Sequence, residues 1–486
     1  MQKKYLFKKI CIVVIAMHFT AILVAQDDVG QNMFSNIRFV ADERISDDAS
    51  TSEVMDAETF LQTALIASGA SDEEIALYVE QLHKSVADCN QEIEKKAKQQ
   101  ENFSTADKVE QTLHFIYDTL ITTYSEKQTR LDVAISDKSY NCVSSALLFM
   151  YFMKKQDIPV TANETPLHAF CTVQIEGKDV DVETTNPWGY NPGVKKQIVS
   201  DSLSQKKYVS VPAKKYANRH AVDDRRIIAL VYANRIVLLQ KQRNDEATIG
   251  LACDAERLQN SSEDAEKLLQ QCVYNTAVNY SSDKKYEKGI LLVKKARLLF
   301  DDCSLYDKYV YSAMGNLLNE KMESNSYDEA FTVLAQYQND LNKSEYDEML
   351  NTLTMNSLQN QIETKPFEDV LSEIEENKNN ISSKNYMTII SYAYSHEASN
   401  IANTGDWLSA IALIDKGLTI VPNDSSLTNQ RSVYKQNYSV TIHNKAAALY
   451  NSGDKEGARK IIEEGLKVFD DSSILKNDLQ KMNKEL

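Results

Sequence analysis

From residue 58 onward the apolar positions of this chain recur mainly with a helical period, broken once by a short stretch of alternating character. Residues 58–99 read as two helices, with Leu61, Leu65, Ile75, Leu77, Leu82 and Val86 as apolar positions. Another helix runs from Ser104, whose hydroxyl suits an N-cap, to Tyr124 through Val109, Leu113, Ile116 and Leu120. Residues 141–155 are intensely apolar (Val143, Ala146, Leu147, Leu148, Met150, Phe152), which predicts a buried central helix that Pro159 ends. Two β patterns follow, over 169–175 and 179–184, and Glu176-Gly177-Lys178 between them is a hairpin-turn signal. Residues 186–193, with two Pro and two Gly, read as the loop that leaves this hairpin.

From about Arg225 the pattern is helical to the end, and it repeats. Small or apolar helix positions recur around Ala247, Gly289, Ala330, Val370, Ala410 and Ala458, in steps of about 40 residues with a longer last one. Gly405-Asp406-Trp407-Leu408-Ser409-Ala410 leads to Gly417-Leu418, and Gly453-Asp454-Lys455-Glu456-Gly457-Ala458 leads to Gly465-Leu466. Tyr286-Glu287-Lys288-Gly289 and Tyr327-Asp328-Glu329-Ala330 open helices in the same way. These units resemble the tetratricopeptide helix–turn–helix repeat, although their period exceeds the usual 34 residues. The resemblance implies a solenoid that binds another protein on its surface.

A chain of 486 residues exceeds one compact core, so two or three domains are expected. With 13 Gly and 7 Pro, neither collagen-like nor low-complexity architecture fits. The net charge of −16 speaks against nucleic acid, whose phosphates are gripped by Lys and Arg, and against docking of the folded part to an anionic membrane. The N-terminus departs from this acidity. Lys3, Lys4, Lys8 and Lys9 precede an uncharged apolar run from Ile10 to Ala25, the layout of an export signal. That run is shorter than the roughly 20 residues of a spanning helix, and Leu23 is large for a cleavage site, so both a cleaved signal and an uncleaved anchor stay open. Either way the remainder is expected outside the cytoplasm, periplasmic or in the cell envelope, touching a membrane only through an uncleaved N-terminus. The seven Cys lack CxxC spacing and zinc-ligand clustering, so neither a disulfide framework nor a metal or cofactor is expected. Cys89, Cys253, Cys272 and Cys303 read as small buried hydrophobes.

Cys142 opens the apolar helix. A thiol there meets unpaired backbone N–H groups and the positive end of the helix dipole, which favour thiolate and could steady an oxyanion. His168 stands where the first β pattern begins, within reach as a general base if that strand packs on the helix start. Asp181 and Glu183 on the return strand are candidate acids to orient it. A two-residue Glu176–Gly177 turn would pair Ile175 with Lys178 and Phe170 with Glu183, putting His168, Asp181 and Glu183 on one face. Glu183 is then diagonal to His168 and has the longer reach. A three-residue turn would reverse the facing. The same parity turns Cys171 to the opposite face, into the core. Gln128 and Asn141 are candidates for a further oxyanion donor, and Trp188 for a wall of the site.

Asn141-Cys142-Val143-Ser144-Ser145-Ala146-Leu147-Leu148, His168-Ala169-Phe170 and Val182-Glu183-Thr184-Thr185-Asn186-Pro187 together resemble the transglutaminase-like superfamily, especially its bacterial SirB1-like branch. The resemblance covers roughly residues 60–240, and it departs from the family in carrying Glu183 where Asp is usual. It implies a papain-like fold with Cys142, His168 and Glu183 as nucleophile, base and orienter, acting by acyl transfer on an amide or ester. The expected fold class is therefore α+β, a transglutaminase-like domain followed by an all-α solenoid. The expected segments are 1–25 signal or anchor, 26–57 flexible linker, 58–224 transglutaminase-like domain and 225–486 repeats. The expected function is that of an exported cysteine hydrolase or peptidase whose repeats recruit a protein or peptide. The alternative is a non-catalytic binding scaffold of the cell envelope.

Overall fold

The computed structural model describes residues 33–192, 218–300 and 302–483, so the expected export segment over 1–25 lies outside the described residues. Among the described residues no helix is long and apolar enough to cross a membrane. The chain divides into two compact units, Met1–Tyr306 and Asp307–Leu486.

The first unit is α+β. Its early helices are α1 (Asp47–Thr51), α2 (Ala57–Ser68), α3 (Asp72–Gln99) and α4 (Thr105–Thr119). Local chemistry explains their starts. Asp56 accepts from the N–H groups of Glu58 and Thr59, while Ser71 and Ser104 each form a reciprocal capping box with an acid three residues on. A short parallel pair, β1 (Thr123–Tyr124) and β2 (Ser139–Tyr140), flanks α5 (Leu131–Ser136). The central helix α6 (Cys142–Lys155) follows directly, capped by Asn141. Its residues from Val143 to Met153 are all buried, because α2, α4 and α5 surround it together with the sheet.

That sheet has the order β5-β4-β3-β6, formed by β3 (Val160–Thr165), β4 (His168–Ile175), β5 (Lys178–Val182) and β6 (His220–Val222). All three pairings are antiparallel. The sequence pattern marks β4 and β5 but not β3 or β6, which are short and half-polar. The β4–β5 turn contains two residues, Glu176 at φ 50° and Gly177 at φ 75°. Both angles are left-handed, the geometry whose twist matches the flanking strands. Ile175 therefore pairs with Lys178 and Cys171 with Val182, the register expected of a two-residue turn.

Two expected boundaries are corrected. Residues 33–57, expected as part of a flexible linker, are built into the unit: Phe34, Ile37, Ile45, Ala49 and Met55 are buried. Arg38 reaches both carboxylate oxygens of Asp254 at 2.6 Å, and the Asp42 N–H donates to the same group at 2.7 Å. Partners so distant in sequence leave no local period to read. The expected break at residue 225 also fails, because α7 (Asp224–Lys241) packs on α2, α6 and β3. Lys154 of α6 donates to Asp224 at 2.7 Å and to the Met55 carbonyl at 2.9 Å, all within the core. Three more helices belong to this unit: α8 (Glu246–Leu258), α9 (Glu263–Ser282) and α10 (Tyr286–Ala296).

Beyond α11 (Ser304–Glu323), within which the two units divide, the second unit is entirely helical among its described residues. It runs through α12 (Tyr327–Gln336), α13 (Lys343–Thr364), α14 (Phe367–Glu376), α15 (Ser383–Asn403), α16 (Trp407–Ile420), α17 (Ser425–Asn451), α18 (Lys455–Val468) and α19 (Ser473–Met482). Gly289, Ala330, Val370, Ala410 and Ala458 each occupy the fourth position of a second helix, and each is buried. Ala247 breaks this pattern, being exposed at the second position of α8. The helix-borne Gly417 has a packing reason, since a Cβ there would lie 2.9 Å from the Tyr394 ring of α15.

Candidate active site

The order of β2, Asn141 and α6 fixes the first residue of the site. Asn141 is the N-cap, its Oδ1 accepting from the N–H groups of Val143 at 2.9 Å and Ser144 at 3.1 Å. Its Nδ2 donates to the Glu126 carbonyl at 3.2 Å, so this amide is committed to capping rather than to an oxyanion. Two of the first N–H groups of α6 are thereby used, which leaves the N–H of Cys142 itself as the helix donor nearest the thiol. Cys142 is half-buried, whereas Cys89, Cys171, Cys253 and Cys272 are buried and free of disulfides. Burial pushes the thiols of Cys89 and Cys272 up to about 11, Cys253 to about 12 and Cys171 higher still, so these four are inert at neutral pH.

His168 begins β4, and Nε2 of its ring meets Oε2 of Glu183 at 2.8 Å. Cys142 acts on the same imidazole, which its side chain raises by hydrogen bonding and charge. The structure thus brings Cys142, His168 and Glu183 into one chain of contacts. His168 is 8% exposed and Glu183 1% exposed. Burial alone would lower the imidazole, but hydrogen bonds to Cys142 and Glu183 and their charges outweigh it and raise it from 6.5 to about 9. The ring of Phe170 stacks on His168 at 6.3 Å with an interplanar angle of 15°, closing one side.

The choice between the two acids is settled by their partners. Asp181 accepts from Thr172 Oγ1 at 2.9 Å and pairs with Arg219. Glu183 faces the imidazole. Cys171 points to the other side of β4, its Sγ 3.9 Å from the Ala146 carbonyl of α6.

The segment after β5 turns back on itself to hold Glu183. The Glu183 N–H donates to the Gly189 carbonyl at 2.8 Å, and the Asn191 N–H to the Asp181 carbonyl at 2.8 Å. A Cβ on Gly189 would stand 1.9 Å from the Glu183 carbonyl oxygen, so only glycine fits this approach. Tyr117 of α4 donates to the Thr184 carbonyl at 2.8 Å, and the hydroxyls of Ser145 and Thr184 meet at 3.0 Å, which ties the loop to α6. Thr185 gives both its N–H, at 3.0 Å, and its hydroxyl, at 2.6 Å, to Oε1 of Glu183. The supporting roles of Tyr117, Ser145, Thr184, Thr185 and Gly189 escape sequence reasoning, because they arise from contacts between elements rather than from spacing along one.

Tyr124 is a further neighbour that the pattern does not single out. Register places it beside Tyr140, two residues before Cys142, with the two rings edge-to-face at 5.7 Å. Burial and the negative field of Cys142, Glu126 and Glu183 push its phenol up to about 12, so it stays protonated and able to donate. Of the other expected neighbours, Gln128 uses Oε1 to accept from the Arg130 N–H at 3.0 Å. Trp188 is 54% exposed, with its ring edge against His114 at 4.6 Å. Among the described residues no group of three or more His, Cys, Asp and Glu is arranged to hold a metal ion. Compared with known proteins, the chain matches no protein-family model, and no curated protein matches it.

Proposed function

We propose that the first unit is a transglutaminase-like cysteine hydrolase or peptidase that works by acyl transfer. The observation that carries this reading is the unbroken Cys142–His168–Glu183 chain, with the thiol at a helix start and the acid fully enclosed. An imidazole raised to about 9 is held protonated at neutral pH beside the Cys142 side chain, as a proton donor for the leaving group.

In this mechanism the Cys142 sulfur forms a bond to the carbonyl carbon of an amide or ester, and the carbonyl electrons move to oxygen. The Cys142 N–H is placed to stabilise that oxygen. Collapse breaks the bond to the leaving amine or alkoxide, which takes the proton of His168 and leaves a thioester. Water, or an amine in a transfer reaction, then attacks the thioester carbon while His168 accepts its proton. Collapse of that adduct breaks the carbon–sulfur bond, releasing the acid or amide and returning the Cys142 sulfur with its electron pair. Glu183 holds the ring in the required tautomer throughout and balances its charge.

The helical repeats are proposed to recruit the protein or peptide substrate, and the protein as a whole to be exported to the periplasm or cell envelope. The test is the rate of Cys142 alkylation by iodoacetamide at neutral pH, in the wild type and in His168→Ala. An activated site gives a rate well above that of a free thiol and a large loss in the variant. Equal rates for wild type, variant and free cysteine would overturn the enzyme reading and leave a binding scaffold that works through its repeats.

A further inference from the structure

The two oxygens of Glu183 have separate tasks. Oε2 faces His168, and Oε1 receives both donors of Thr185. Glutamate has one more rotatable bond than aspartate, so its carboxylate needs more constraint to keep one oxygen on the imidazole. Glu183 is 1% exposed and Thr185 is fully enclosed, which makes a protein hydroxyl rather than bulk water the ready donor for Oε1. A short hydroxyl bond to a carboxylate is of the strong, charge-assisted kind. Resting on the acyl-transfer reading, we propose that Thr185 is a positioning residue: its hydroxyl fixes the Glu183 carboxylate with Oε2 aimed at His168, and so holds the imidazole in place for Cys142.

Among the described residues, several titratable groups face this carboxylate or its imidazole partner. His168 and Cys171 lie on β4, Cys142 heads α6 and Tyr124 lies on β1. Removing the hydroxyl can act in two ways. The carboxylate can take up a proton more readily, because a donor to its charged form is gone. It can also rotate away from the ring. Both weaken the support of the imidazolium that faces Cys142, so the sign of the effect is the same.

The experiment compares Thr185→Val, which keeps the shape and the backbone N–H, with Thr185→Ser, which restores the hydroxyl. The full chain is alkylated with iodoacetamide across pH, and His168 is titrated by NMR with labelled histidine. For Thr185→Val the acid limb of the alkylation profile is expected to move up by about one pH unit, a roughly tenfold loss of rate on that limb. The His168 midpoint is expected to fall, and Thr185→Ser to return both readouts close to wild type. An unmoved limb and midpoint in Thr185→Val would overturn the proposal. So would an equal slowing of both variants at every pH, the mark of a merely structural role. If His168→Ala leaves the wild-type alkylation rate unchanged, the acyl-transfer reading falls instead. The NMR midpoint then still decides whether Thr185 governs the Glu183–His168 contact.

Discussion

Replacing Glu183 with Gln keeps the shape of the side chain and removes its charge, which isolates what the acid does for His168. The imidazole is raised from 6.5 to about 9, equivalent to about 3 kcal/mol of preference for its protonated form. Burial opposes that rise, and two partners, Cys142 and Glu183, supply it through hydrogen bonds and charge. With Glu183 neutral, the burial contribution stays and only the Cys142 share remains to offset it. The His168 midpoint is therefore expected to fall by about one to two pH units in Glu183→Gln.

The sign for stability follows from the same shift. A histidine whose folded midpoint lies above its unfolded value adds stability that is fully present below about 6.5, and this is lost as pH rises through about 9. In Glu183→Gln this contribution should be smaller and its loss complete at lower pH. The assay is NMR titration of His168 in both proteins, with thermal unfolding of the first unit at pH 6 and pH 9.5 as a check. A His168 midpoint that does not move in Glu183→Gln would refute the assignment of Glu183 as its charge partner.

Other outcomes follow from neighbouring features. Gly189→Ala forces a methyl to within 1.9 Å of the Glu183 carbonyl, so the loop must shift at a cost of about 2–3 kcal/mol. Iodoacetamide labelling of Cys142 should then slow sharply while helical circular dichroism is retained, and unchanged labelling would count against the role of this loop. Lys154→Met strands the buried carboxylate of Asp224, already raised by burial, and should cost the first unit about 3–5 kcal/mol in urea unfolding. Adding Asp224→Asn should recover part of that loss, and a cost below about 1 kcal/mol would show that water screens the pair. Glu176→Asn places a residue tolerant of left-handed backbone where φ is 50°, and should stabilise the first unit by about 0.5–1 kcal/mol. A fall in its unfolding midpoint would contradict the two-residue turn.

What the sequence by itself determined is local. The 3.6-residue period gave most of the helices, and the run of apolar residues after Asn141 marked α6 as the buried one with Cys142 at its head. Glu176-Gly177 set a two-residue turn, and because side chains alternate strictly along a strand, that turn put His168 and Glu183 on one face. The tertiary structure decided what depends on partners far apart in the chain. Residues 33–57 look like a polar linker until Arg38 meets Asp254, across 216 positions. Helices α7 to α10 look continuous with the repeats until α7 closes the first core against Lys154 and the sheet. Asn141 looks like an oxyanion donor until its amide is seen committed to the helix start and to Glu126. Thr185 carries no periodic signal, and it gains meaning only when the chain turns at Gly189 and encloses the carboxylate that Thr185 holds. Alternation and capping are properties of neighbouring residues and can be read along one strand or helix. The pairing of a buried charge is set by whichever element folds against it, which no local pattern records.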